Sequence, residues 1–155
     1  MGVGYTFRVA TTEDSSGLYE MLMAMHSGTI AGTSPVSPDK VREEIAYVLE
    51  FGDVLLAELD GRIIGSIAGA ETSDWWSDEI HLADRWFFVY KEHRKSRAAL
   101  SLVKSFLQVA RRAEIKVKLG HVYSGDIARK DSFYERLGLS RVGSLYVDTY
   151  GSAAP

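Results

Sequence analysis

Residues 84–113 read DRWFFVYKEHRKSRAALSLVKSFLQVARRA, and this stretch constrains the fold more than any other. Trp86 to Tyr90 is an aromatic and β-branched run, which suits a strand better than a helix. From Arg97 to Ala110 the apolar residues Ala99, Leu102, Val103, Phe106, Val109 and Ala110 recur at helical spacing. Between strand and helix lies a cationic turn, Lys91-Glu92-His93-Arg94-Lys95-Ser96-Arg97, with Ser96 placed to cap the helix. The first amides of a helix have no intrahelical acceptor, and the helix dipole adds positive potential where the basic side chains already gather. The spacing therefore predicts an anion site whose ligand is a phosphate or pyrophosphate.

Charge supports a local site over a general one. The chain is acidic overall, at −3, yet residues 85–118 hold ten Lys or Arg against two Glu. A broad nucleic-acid surface is not expected from that balance. With 155 residues and 46% hydrophobic content, one domain over residues 1–155 can bury a core of its own. No cysteine is present, which excludes disulfides, Cys-ligated zinc and a Cys nucleophile. Four scattered histidines, His26 and His121 among them, show no metal-ligand spacing, so no metal is expected. No leader-like or membrane-spanning stretch stands out, and a cytoplasmic protein without membrane contact is the expectation.

Taken in order, Tyr5 to Val9 reads as a strand, and Thr11 to Asp14 as the start of a helix with the stripe Leu18, Met21, Leu22, Met25. Ser37-Pro38 opens a second helix, with Val41, Ile45, Val48 and Leu49 inward and Gly52 to end it. Asp60-Gly61 is a strong hairpin signal between strands over Val54–Leu59 and Arg62–Ala68. Glu71 to Asp78 reads as a polar interruption carrying Trp75 and Trp76, and Ile80 to Tyr90 as the next strand. Strands over Lys116–Tyr123 and Val142–Tyr150 flank a helix capped by Asp126 and stopped at Gly138. The order β-α-α-β-β-β-α-β-α-β gives a mixed, mostly antiparallel α/β sheet of six to seven strands with helices on both faces.

Three segments of this order resemble the GNAT superfamily of acyl-CoA-dependent N-acetyltransferases. The segment VLLAELDGRIIGSIAG is similar to that family's second and third strands. FFVYKEHRKSRAALSLVKSF resembles the strand–turn–helix unit that holds the CoA pyrophosphate, and KDSFYERLGL the last helix with its Tyr-x-x-x-Gly ending. The family's pyrophosphate pattern is Arg/Gln-x-x-Gly-x-Gly/Ala; here it reads Arg94-Lys95-Ser96-Arg97-Ala98-Ala99, with Arg97 at the first glycine position. Arg-for-Gly versions resemble phage-borne relatives. An arginine there keeps the backbone donor and adds a guanidinium suited to bidentate phosphate contact.

The resemblance implies acetyl-CoA as cosubstrate, held by Val89, Tyr90, Arg94, Lys95, Ser96, Arg97, Ala98 and Ala99, and an amine acceptor of small-molecule or peptide type. Transfer of acetyl to a primary amine needs a base, because an alkyl amine of pKa about 10.4 is mostly charged near neutrality. Glu79, His81 and Asp84 are the candidates; strand alternation puts Glu79 and His81 on one face and Asp84 on the other. The resemblance gives the oxyanion to the Val89 amide and the role of acid to Tyr134, whose ordinary pKa of about 10 keeps it protonated. Each of these residues also has a structural reading: the basic turn as a solvated surface, Tyr134 as a core residue, the three base candidates as surface residues. Trp75 and Trp76 fit three roles equally, as an acceptor wall, a homodimer face or a core cover. The expected activity is direct acetyl transfer in a ternary complex; the alternative is a non-catalytic GNAT-fold module for acyl-CoA binding or protein interaction.

Overall fold

A computed structural model describes residues 4–28, 34–120, 126–146 and 148. Five strands, β1 (Tyr5–Val9), β2 (Asp53–Leu59), β3 (Arg62–Ser73), β4 (Ile80–Val89) and β5 (Lys116–Lys118), form one sheet in sequence order. The first four pair antiparallel, and β5 joins β4 in parallel. Helices α1 (Ser15–Ser27) and α2 (Pro38–Phe51) link β1 to β2, α3 (Ala98–Arg112) follows β4, and α4 (Ile127–Arg136) follows β5.

Two cores flank the sheet. On one face Leu18, Met21 and Leu22 of α1 and Ile45 and Val48 of α2 pack against Val54, Leu56, Ala68 and Trp86. On the other, Leu102, Val103, Phe106 and Ala110 of α3 meet Leu55, Ile67, Leu82 and Val89, with Phe133 and Tyr134 of α4 and Leu137 just past its end against the same cluster. The buried Trp86 indole donates to the Ser66 hydroxyl at 3.0 Å, so its polar edge is satisfied inside the first core.

Local chemistry explains the joints. The Ser37 hydroxyl accepts from the Lys40 amide and Pro38 occupies the first helical position. Asp60 and Gly61 both take positive φ, 50° and 76°, which a tight hairpin demands. The Arg8 guanidinium grips Asp14 at 2.8 Å and Glu58 at 2.7 Å, and Asp14 also accepts from the Thr11 amide, joining β1, β2 and the start of α1. Arg8 holds the Asp14 carboxyl below its ordinary pKa. Stability from a lowered carboxyl is fully present above the unfolded value and is lost as pH falls through the folded one. Asp14→Asn is expected to cost about 1 kcal/mol at neutral pH, a small figure because Arg8 is partly open to solvent. Urea titrations of parent and variant should converge as pH drops below the ordinary aspartate range; a gap that persists there would remove the ion pair as its source.

Two expectations need correction. β3 continues through Glu71, Thr72 and Ser73, which pair with Leu82, His81 and Ile80, so the polar interruption shrinks to the hairpin tip at 74–79. Polar side chains on an exposed strand end do not stop a backbone ladder from forming. The sheet has five strands among the described residues, not six to seven. Residues 142–146 and 148 form no strand, and Val142 and Tyr146 are more than nine-tenths exposed. The rest of that segment, and residues 121–123 of the strand expected after Lys116, lie outside the described residues, as does His121.

Candidate active site

β4 and β5 part company early. Their pairing runs His81–Lys116, Leu82–Val117 and Ala83–Lys118, and at the next step the Gly120 amide donates to Asp84 Oδ1 at 3.1 Å instead of to the strand. Beyond Asp84 the outer edge of β4 has no strand partner among the described residues. The amide of Tyr90 is spent on the Ile64 carbonyl of β3, at 2.9 Å. Successive amides of a strand face opposite edges, so the Val89 amide and carbonyl face the open one. Arg94 bears this out: its Nε donates to the Val89 carbonyl at 2.9 Å, and its guanidinium lies 5.3 Å from the Phe88 ring centre.

The turn after β4 is a single 3₁₀ turn over Lys91–His93, followed by an irregular step into α3. Ser96 organises that step. Its hydroxyl donates to the His93 carbonyl at 2.5 Å and accepts from the Ala98 amide at 3.2 Å. The backbone cap position itself belongs to Arg97, so α3 starts one residue later than the spacing predicts. The amides of Arg97, Ala99 and Leu100 precede the first i→i−4 bond, which Ser101 makes to the Arg97 carbonyl. Lys95, Arg97 and Arg94 stand exposed around these donors, whereas Ala98 is fully buried and seats the helix on the sheet. Donors, dipole and three cations thus converge beside the open edge of β4.

At the other end of that edge stands Asp84. Register passes from Gly69–Asp84 to Ala68–Trp86, leaving Arg85 as a bulge. Arg85 reaches back to Glu44 of α2 at 3.1 Å, while Asp84 keeps the face of Leu82, toward α3 and α4. Burial pushes the Asp84 carboxyl above its ordinary pKa, with the Gly120 amide pulling the other way. Tyr134, half-buried on α4, is pushed up to about 12 by burial first and then by the Asp84 charge. The fold therefore brings Asp84 and Tyr134 within electrostatic reach of each other.

The other base candidates lie elsewhere. Glu79 precedes β4, and its 61% exposed side chain is paired with Lys116 at 2.9 Å, which holds its carboxyl below the usual range. His81 is 6% exposed and, by strand alternation from Leu82, sits on the α1–α2 face. Trp75 and Trp76 form the β3–β4 hairpin tip, 92% and 66% exposed, and cover no core.

The sequence model of the Acetyltransferase (GNAT) family matches residues 16–139. The chain belongs to the GNAT family. Solved GNAT structures share the fold at low sequence identity. A possible acetyltransferase from Clostridium difficile 630 is 12% identical, with TM-score 0.72 over 95% of this chain and 97% of its own. AAC(6')-Iy, solved with the bisubstrate analogue CoA-S-monomethyl-acetylneamine, is also 12% identical, with TM-score 0.72 over 94% of this chain and 97% of that one. Glucosamine-6-phosphate N-acetyltransferase from Arabidopsis thaliana is 14% identical, with TM-score 0.69 over 94% and 97%. No curated protein is matched by sequence. Among the described residues, no helix of this GNAT domain is long and apolar enough to cross a membrane.

Proposed function

We propose that this GNAT protein transfers an acetyl group from acetyl-CoA to a primary amine by direct attack in a ternary complex. The observation that carries the reading is the open edge of β4, with a phosphate-type turn at one end and the Asp84–Tyr134 pair at the other. Asp84 and Val89 are five residues apart, about 17 Å along an extended strand. In this reading the pyrophosphate lies against the Arg94–Ala99 turn, and the pantetheine arm follows the strand edge, taking the place of a sixth strand's hydrogen bonds. AAC(6')-Iy, solved with a CoA-linked analogue on a similar fold, supports a CoA-type ligand in this reading.

Asp84 takes the proton from the acceptor ammonium, directly or through a water; a raised carboxyl pKa makes it the better base. The amine nitrogen attacks the thioester carbon, an oxyanion-hole donor such as the Val89 amide steadies the developing negative charge, and the C–S bond breaks while the nitrogen's second proton leaves to solvent, giving amide and CoA thiolate. Tyr134 at about 12 is a weaker acid than a thiol of about 8.5, so complete transfer of its proton would be uphill by roughly 5 kcal/mol. Its part is to donate a hydrogen bond to the departing sulfur. Once Asp84 is protonated, the second cause of the Tyr134 shift disappears, and the phenol becomes a stronger donor at the moment the thiolate forms.

The test is melting temperature with and without acetyl-CoA, in the parent and in Arg94→Ala/Arg97→Ala. At 100 times the dissociation constant, binding adds about 2.7 kcal/mol, or about 5–10 °C for a domain of this size. A rise in the parent that is absent in the variant is the expected result, followed by thiol release with a panel of amines. A well-folded parent that does not respond to millimolar acetyl-CoA would overturn the cofactor assignment.

A further inference from the structure

The β3–β4 hairpin turns on two residues that turn chemistry does not favour. The Ser77 amide donates to the Asp74 carbonyl at 3.1 Å, so Trp75 and Trp76 hold the two central positions of a β-turn. Glycine, proline and small polar residues fill such positions for conformational reasons, and tryptophan brings none of them. Nor does burial account for the rings, which are 92% and 66% exposed. They meet edge to face, with centres 5.3 Å apart and planes at 87°, as two walls of a corner. The corner belongs to a cleft of about 410 Å³ lined by Ser73, Asp74, Trp75, Trp76, Ser77 and Asp78, a size that suits a small molecule. Its frame is fixed: the Glu79 amide donates to the Ser77 hydroxyl at 3.1 Å, and Lys118 holds the Asp74 carboxylate.

Pairing places this cleft near the reacting end of the groove. Lys118 is the register partner of Ala83, next to Asp84, and β4 and β5 separate just beyond that pair. One strand spacing and the length of a lysine side chain put the Asp74 carboxylate on the order of 10 Å from Ala83. The charge of the tip is one-sided: residues 71–79 carry Glu71, Asp74, Asp78 and Glu79 and no Lys or Arg. Lys118 and Lys116 of β5 offset Asp74 and Glu79, which leaves Glu71 and Asp78 as the surplus among the described residues. Elsewhere the chain covers aromatic faces with its own arginines, Arg42 on Tyr19, Arg85 on Tyr47 and Arg94 on Phe88; among the described residues no such pair involves Trp75 or Trp76.

We propose that this corner binds a second ammonium of the acceptor, which makes the substrate class di- and polyamines. The inference rests on the acetyl-transfer reading given above. The reacting nitrogen gives up its charge at Asp84 and has no use for a cation site. The remote ammonium keeps its charge and lies against the indole faces, with Asp78 beside it. The acidic surplus repels an anionic lipid surface, the other common use of exposed tryptophan.

The test compares kcat/KM for butylamine and spermidine in the parent and in Trp75→Ala/Trp76→Ala, beside calorimetric titration of spermidine into each protein with CoA present. The parent should favour spermidine by about five- to thirtyfold, and the ratio should fall toward one in the variant, with spermidine affinity weakened by a similar factor. Trp75→Phe/Trp76→Phe should keep part of the preference, and the melting temperature of both variants should stay level because the rings cover no core. A ratio near one in the parent, or a ratio that survives in the alanine variant, would overturn the inference while acetyl transfer to either amine leaves the enzyme reading standing. Spermidine that is bound but not acetylated would overturn it too, as would a large fall in melting temperature, which makes the rings structural. A folded parent that neither responds to acetyl-CoA nor turns over either amine would take down the acetyl-transfer reading, and this inference with it.

Discussion

Asp84→Asn should lower kcat/KM by about 10²- to 10⁴-fold, with any amine that the parent acetylates, while the melting temperature stays level or rises. The first half follows from removing the base. The second follows from the raised pKa of Asp84. A carboxyl whose folded pKa lies above its unfolded one binds more protons in the native state, so stability falls as pH rises through the window between the two values. Above that window the ionised carboxylate is a standing cost, and asparagine removes it while keeping an oxygen for the Gly120 amide. Parent and variant melting curves recorded from about pH 4 to pH 8 should therefore separate in favour of the variant as pH rises. Unchanged turnover in Asp84→Asn would take the base role from this residue; a large loss of stability would instead make Asp84 structural.

Phe106→Ala should be the most destabilising truncation in the domain, at about 3–5 kcal/mol, or about 6–20 °C in melting temperature. The ring is fully buried and seated on Gly69: a Cβ built there would lie 2.5 Å from Phe106 Cζ and 2.6 Å from the Ala83 carbonyl oxygen. Gly69 is also the cross-strand partner of Asp84, so the ring floors the face on which that carboxylate stands. Gly69→Ala should consequently be costly as well, and Phe106→Leu in the same chain should relieve it only in part, because the Ala83 carbonyl belongs to the backbone and cannot turn aside. Full additivity of Gly69→Ala and Phe106→Leu in urea titrations would show that ring and glycine are not in the contact described.

The parts of the fold that were readable in the sequence are those where one residue fixes a local geometry. Ser37-Pro38 and Asp126 begin helices, Asp60-Gly61 turns the hairpin, and Gly138 takes φ 87° at the end of α4. The cationic turn was legible for the same reason: its residues are contiguous. What was not legible depends on register. Three carboxylate or imidazole candidates on or near one strand look alike in sequence, and only the departure of β5 after Lys118 and the bulge at Arg85 give Asp84 its place at the open edge. Tyr134 stood out through family resemblance, but its upward shift to about 12 comes from burial and from a residue fifty positions away.

The sheet order has a consequence for how this chain can assemble and diverge. β2, β3, β4 and α3 follow one another without interruption from Asp53 to Arg112, so the hairpin ladders and the phosphate turn arise from sequence-local contacts. β1, by contrast, must find β2 across both intervening helices, with Val9 opposite Leu55. Low contact order favours early formation, which makes the 53–112 segment the natural nucleus and the closure of the amino-terminal third a later event. A chain built this way can rewrite its first two helices over evolutionary time, at little risk to the half that folds first.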